Sequence, residues 1–155
     1  TDRDAQALAQ IAGEGVATLA WDFEAPRMAW PFARDRFAGI VMTNYLHRPL
    51  FPHMLASLAP GGILIAETFA AGNAAFGKPS NPDFLLQSAE LLALLRDHAP
   101  NGHSMRVIAF EDGYTDAPKA AMVQRICAIK LLDKDKSSVA PSQLHLDGWQ
   151  AGNKL

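Results

Sequence analysis

Apolar positions along the chain change their period several times, and each change predicts an element. From Asp4, the stretch DAQALAQIAGEG sets Leu8, Ile11 and Ala12 on one helical face, with Asp4 as N-cap and Gly13 and Gly15 as a stop. VATLAWD (16–22) is a short apolar run ending in an acid, which predicts a strand buried on both faces. A loop with Pro26, Pro31 and several aromatics follows. RFAGIVMTN (36–44) predicts the next strand, and PLFPHMLASLAP (49–60) a helix opened by Pro49 and Pro52 and stopped by Pro60-Gly61-Gly62. GGILIAETFA (61–70) predicts a strand, residues 71–87 a long loop, and SAELLALLRDHA (88–99) a helix with Ser88 as N-cap. SMRVIAFEDGYTD (104–116) and AAMVQRICAIKLL (120–132) predict two strands, and Gly113 and Pro118 between them favour an antiparallel connection.

Strands alternating with helices predict an α/β domain over residues 1–132, with a mostly parallel sheet covered on both faces and a late antiparallel strand. Residues 133–155 carry weak signals and are expected to be a tail; the alternating run Asp133-Lys134-Asp135-Lys136 reads as a solvated turn within it. In sheets of this kind the ligand crevice lies at the carboxyl ends of the strands. That rule directs attention to Asp22, to Thr43-Asn44 and to Glu67-Thr68, which end three of the predicted strands. Asp2, just ahead of the first helix, joins the same rim if a strand leads into it.

Composition narrows the function without choosing it. The 155 residues are 49% apolar, enough for one domain with a core, and the net charge is −2. Basic residues are scattered, so there is no electrostatic footprint for nucleic acid or an anionic membrane. No apolar run reaches the roughly 18 residues of a membrane span, and a cytoplasmic protein is the expectation. The single cysteine, Cys127, excludes an internal disulfide and a multi-cysteine metal site, and reads as a small buried hydrophobe.

The rim is rich in groups with two readings. Carboxylates accept hydrogen bonds from ribose hydroxyls or exocyclic amines, and Trp21, Phe23 and Tyr45 offer flat surfaces for a purine. Asp22 also suits a turn cap, and Asp2 suits a helix N-terminus on its own account. In Thr-Asn-Tyr-Leu-His-Arg-Pro (43–49), His47 is a proton-transfer group by type or an ordinary loop histidine, and Arg48 an anion contact or a solvated charge.

The ordered set VATLAWD, RFAGIVMTNYLHRP and LASLAPGGILIAETFA resembles class I S-adenosylmethionine-dependent methyltransferases from their second sheet strand onward. NYLHRPLFP, ETFAAGNAAFGKPSNPDFLL and AFEDG are similar to a bacterial subgroup described as tellurite-resistance-type methyltransferases, and the likeness covers roughly residues 1–131. The resemblance implies a three-layer Rossmann-like fold, S-adenosylmethionine as cofactor and a small-molecule acceptor. It implies that Asp2 holds the cofactor ribose, that Asp22 and Phe23 border the adenine, and that Asn44 and Tyr45 border the methyl donor. It places His47, Tyr45 and Arg48 where chemistry on the acceptor would occur, with Glu67, Asn73, Asn81 and Asp83 on the substrate side. The family's glycine-rich turn, which precedes the first helix, has no counterpart: Gly13-Glu14-Gly15 follows a helix and precedes a strand. The chain opens on Thr1-Asp2-Arg3-Asp4 as though partway through a fold, so that turn is expected upstream, and without it weak cofactor binding and self-association as a homodimer through open strand edges are expected. Two other readings share these features: a degenerate, non-catalytic association module, and a nicotinamide-dependent Rossmann oxidoreductase. The late antiparallel hairpin and LAPGGILI favour the methyltransferase over the latter.

Overall fold

The computed structural model describes residues 1–131 apart from residues 14, 28 and 101–103, so the expected tail at 133–155 lies outside the described residues. Four strands, β1 (Phe37–Thr43), β2 (Leu58–Phe69), β3 (Met105–Thr115) and β4 (Ala121–Lys130), form one sheet in the order β1-β2-β4-β3. β1 and β2 are parallel, while β4 runs antiparallel to both of its neighbours. The mixed α/β sheet and its late antiparallel pair are as the pattern predicts. The helices are α1 (Ala5–Ile11), α2 (Phe51–Ser57) and α3 (Glu90–His98), of which α2 and α3 pack on the sheet.

The core lies between one sheet face and the pair α2 and α3. Phe51, Met54 and Leu55 of α2 and Leu91, Leu94 and Leu95 of α3 pack on Leu64, Ala66, Ile126 and Ala128. These side chains sit at i, i+3, i+4 on the helices and at i, i+2 on the strands, the two periods that put residues on one face. Lys130 is fully buried at the lower end of this layer, where its ammonium donates to Asp35 Oδ1 at 2.8 Å and to the carbonyls of Leu55 and Leu58. Those carbonyls end α2, so the buried lysine satisfies orphan acceptors of a helix C-terminus.

Four local expectations are corrected. Residues 16–22 form no regular strand: the segment is extended, exposed over 15–18, and joined to the rest by a single parallel bridge between Asp2 and Ala20. A strand becomes regular when its edges find partners, and among the described residues only isolated bridges reach this segment, Asp2 to Ala20 and Gly13 to Val16. The helix predicted over 49–60 is a 3-10 turn, Arg48–Leu50, followed by α2, and Leu58-Ala59-Pro60-Gly61-Gly62 already belongs to β2. Leu58 pairs with Phe37 and Ile63 with Gly39, so the glycines are taken up in a bulge. A Cβ on Gly62 would lie 2.7 Å from the carbonyl oxygen of Ala59, a spacing that requires glycine.

Ser88 does not cap α3. The cap position is Ala89, held at φ 57°, and the helix start is satisfied from elsewhere. Leu91 N donates to Gln124 Oε1 at 3.1 Å, and the Ser88 hydroxyl and Ala89 N donate to Asp112 Oδ2. Finally, Leu8 is buried on α1 as expected, but Ile11 and Ala12 are exposed.

Candidate active site

Three segments meet at the carboxyl end of β1. The first is Thr1-Asp2-Arg3, fastened to the second by Asp2 N donating to Leu19 O and Trp21 N donating to Asp2 O at 2.9 Å. The second continues through Asp22, Phe23 and Glu24 in a turn, where Glu24 N donates to Asp22 Oδ1 at 2.9 Å. The third leaves β1 through Asn44, whose positive φ of 54° swings the chain toward Tyr45 and His47. Asn44 N donates to Glu67 O, which fixes the turn to the neighbouring strand. Asparagine tolerates this left-handed conformation better than most side chains, which is a local reason for its presence.

From these segments a cavity of about 1090 Å³ runs back along β1, whose Phe37 and Gly39 to Thr43 also line it. Its polar wall includes Asp2, Asp22, Glu24, Asn44, Tyr45 and His47. Its apolar wall is the aromatic cluster of Phe23, Trp30, Phe32 and Phe37, with ring centroids 5.0–5.4 Å apart in successive pairs. Trp30 is pinned by its indole N–H, which donates to Ser57 Oγ at 2.7 Å. The cavity therefore joins groups that accept hydrogen bonds to a broad surface suited to a flat or apolar ligand.

The structure brings together all four residues assigned to the cofactor, Asp2, Asp22, Phe23 and Asn44, and two of the three assigned to catalysis, Tyr45 and His47. Arg48 stands apart. Its guanidinium holds the Glu90 carboxylate through Nε at 2.6 Å and Nη2 at 3.0 Å, and donates to the carbonyls of Asp83 and Leu85. These bonds engage every nitrogen of the fork, so Arg48 straps the 82–90 segment against the start of α2, and it does not line the cavity. The Arg48 bond in turn lowers the pKa of Glu90 below the ordinary carboxylate range.

The residues expected on the substrate side also have structural employment. Glu67 is paired with Arg125, which also reaches Glu111 at 3.1 Å. Buried Asn73 donates to Pro79 O and accepts from Met122 N, and Asn81 accepts from Asp83 N. None of these lines the cavity.

Two features escaped the sequence. Burial first, and then the negative charges of Glu24 and Asp22, push the Tyr45 phenol above its usual range, against a smaller opposing effect of Arg3. Tyr45 is thus a neutral hydroxyl and no base at ordinary pH. The second feature is the aromatic wall, whose only sequence signal was the density of Phe and Trp in the proline-marked loop before β1. Among the described residues, no group of His, Cys, Asp and Glu is placed to hold a metal ion.

No family model matches the chain, and no curated protein matches it. Among solved structures, it is similar to a SAM-dependent methyltransferase from Methanosarcina mazei, with a TM-score of 0.51 and 15% sequence identity. The likeness covers 67% of this chain and 64% of that one, so the matched part spans less than two-thirds of that protein. The four-stranded mixed sheet with flanking helices is that of the Rossmann-like α/β methyltransferase fold.

Proposed function

We propose that the cavity at the end of β1 binds S-adenosylmethionine and that the chain belongs to a methyltransferase acting on a small molecule. One observation carries this reading: Asp2, Asp22, Phe23 and Asn44, from three separate segments, line one cavity that reaches the carboxyl end of β1. The donor set suits the cofactor. Asp2 and Asp22 each use Oδ1 to close a local turn, accepting from Asp4 N and Glu24 N, and each leaves Oδ2 for a ribose hydroxyl or the adenine amine. Trp21 lines the same cavity, and its buried indole N–H has no partner among the described residues, which leaves a donor for a ligand acceptor.

When bound, the cofactor supplies an electrophilic methyl group on a sulfonium. The chain's own residues then orient and desolvate. Phe23 and the Trp30 cluster exclude water from one wall, the carboxylates fix the nucleoside end, and Asn44 and Tyr45 border the reacting region. His47, two residues beyond Tyr45, is the group available to take a proton from a neutral acceptor. Within this reading we place the chain in the tellurite-resistance-type subgroup, supported by the sequence resemblance of the segments around 44–52, 67–86 and 109–113; the acceptor class is then sought among thiols, phenols, amines and metalloid oxyanions.

Amide-shift titration of the isotope-labelled chain with S-adenosylmethionine tests this, because it detects weak binding. Expected are shifts confined to the Asp2, Asp22–Glu24 and Asn44–His47 region. The Asp22→Ala chain should bind about tenfold more weakly, the worth of a hydrogen bond to a charged group. A spectrum unmoved by millimolar ligand overturns the reading. The alternative, a non-catalytic association module, draws on the exposed Val41, Ile63 and Ile65, and it predicts an unmoved spectrum together with self-association in sedimentation.

A further inference from the structure

The charged side chains of the cavity are sorted by end. Asp2, Arg3, Asp22, Glu24 and His47 belong to the segments at the carboxyl end of β1, while Arg36 directly precedes Phe37 at the amino end. Seven residues of strand hold these ends about 20 Å apart. Asp35, beside Arg36, is engaged by buried Lys130 at 2.8 Å. Arg36 itself is exposed over the Phe37 ring, 5.6 Å from its centroid, and no carboxylate among the described residues pairs with it. An aromatic row joins the two ends. Trp30 lies 5.3 Å from Phe23, Phe32 5.4 Å from Trp30, and Phe37 5.0 Å from Phe32; all four are half-buried and line the cavity. A pocket that encloses one drug-sized ligand measures about 300 to 1,000 Å³. The 1090 Å³ found here therefore leaves room for a second molecule beside a cofactor held at the acidic end.

We propose that the amino-terminal end of this cavity is a second binding subsite, for an elongated apolar anion. Arg36 holds the anionic head, Phe37, Phe32 and Trp30 cover the apolar body, and the molecule's other end points toward Asn44 and His47. Charge complementarity selects this occupant. The carboxylates at the acidic end repel an anionic head, whereas the Arg36 fork accepts carboxylate, sulfonate or phosphate oxygens without first leaving an ion pair. A neutral body gains the aromatic wall and nothing from the guanidinium. As the seat of the methyl acceptor, the subsite rests on the S-adenosylmethionine reading and narrows the acceptor to a molecule whose anionic group is remote from its reacting atom. As an anion site it is independent of that reading.

The probes are two fluorophores that share an aryl body: 8-anilinonaphthalene-1-sulfonate, an anion, and N-phenyl-1-naphthylamine, which lacks the sulfonate. Each is titrated against the chain and its variants by fluorescence. Arg36→Gln should weaken the anion by a factor of about 3 to 10, the worth of one partly solvated charge contact, and leave the neutral compound unchanged. Arg34→Gln, two residues away and outside the cavity lining, should change neither. Phe32→Ala should weaken both compounds, and added salt should weaken the anion alone. Anion binding untouched by Arg36→Gln overturns the proposal, as does an equal loss in Arg34→Gln. Saturating S-adenosylmethionine should leave the anion in place, and its displacement overturns the separate subsite. A chain that binds the anion through Arg36 but does not bind S-adenosylmethionine upholds the anion site and overturns the cofactor reading alone.

Discussion

The two faces of the sheet carry nearly the same kind of residue and meet opposite fates. On one face Leu64 and Ala66 are each 1% exposed beneath α2 and α3. On the other, Val41 is 70% exposed, Ile65 48% and Ile63 40%. These residues alternate along single strands, so one backbone presents a packed core to one side and bare aliphatic surface to the other. The lesson is that an unbroken apolar run such as GILIA states a capacity for burial on both faces, and only the arrangement of covering elements determines which face uses it. Toward the strand ends the open face turns polar, where Thr43 and Glu67 pair in register and Arg125 stands between Glu67 and Glu111.

That contrast can be broken by paired substitutions. Leu64→Ala should cost about 3 kcal/mol of unfolding free energy, from lost burial plus a cavity, whereas Ile65→Ala on the next position should cost less than about 1 kcal/mol. Urea denaturation of the two proteins measures the difference directly; equal losses would mean that both faces are packed in solution. Lys130→Met retains the buried stem but abandons Asp35 and the α2 carbonyls, and should cost about 2 to 3 kcal/mol by the same measurement.

The strap gives the next effect. Arg48→Ala should destabilise the chain by about 2 kcal/mol, because it removes the cation from Glu90 and a donor from the carbonyls of Asp83 and Leu85. The pH dependence fixes its origin. Glu90 has a lowered folded pKa, so its contribution is fully present above the unfolded carboxylate value and disappears as pH falls through the folded one. Acid titration of stability should therefore be shallower in Arg48→Ala than in the unaltered chain. The smallest effect is on the open face: Ile65→Thr should change stability by about 0.5 kcal/mol or less, read from thermal melting.

Much of the fold was legible because it depends on local rules. The period-2 and period-3.6 patterns located β1, β2, β4 and the body of α3, and Asp4 caps α1 by accepting from Gln6 N and Ala7 N. Failures occurred where long-range partners override local preference. LAPGG looked like a helix stop and is the bulged start of β2, and VATLAWD looked like a buried strand and is largely exposed. Ser88 had the chemistry of a cap, yet Gln124, 33 positions from Leu91, does the work.

The candidate site divides in the same way. Sequence by itself determined which acids, amides and aromatics stand at strand ends, because strand direction and the crevice rule place them on one rim. It also determined that Asn44 suits the left-handed turn after β1. Only the tertiary structure decided how those groups are employed. Arg48 and Asn73 read as ligand contacts and are consumed by the strap and by the 79 and 122 backbone, whereas Glu24, unmarked in the sequence, lines the cavity. The reason is physical: a side chain's type fixes which hydrogen bonds it can make, while its availability depends on which donors and acceptors the fold has already brought within 3 Å of it.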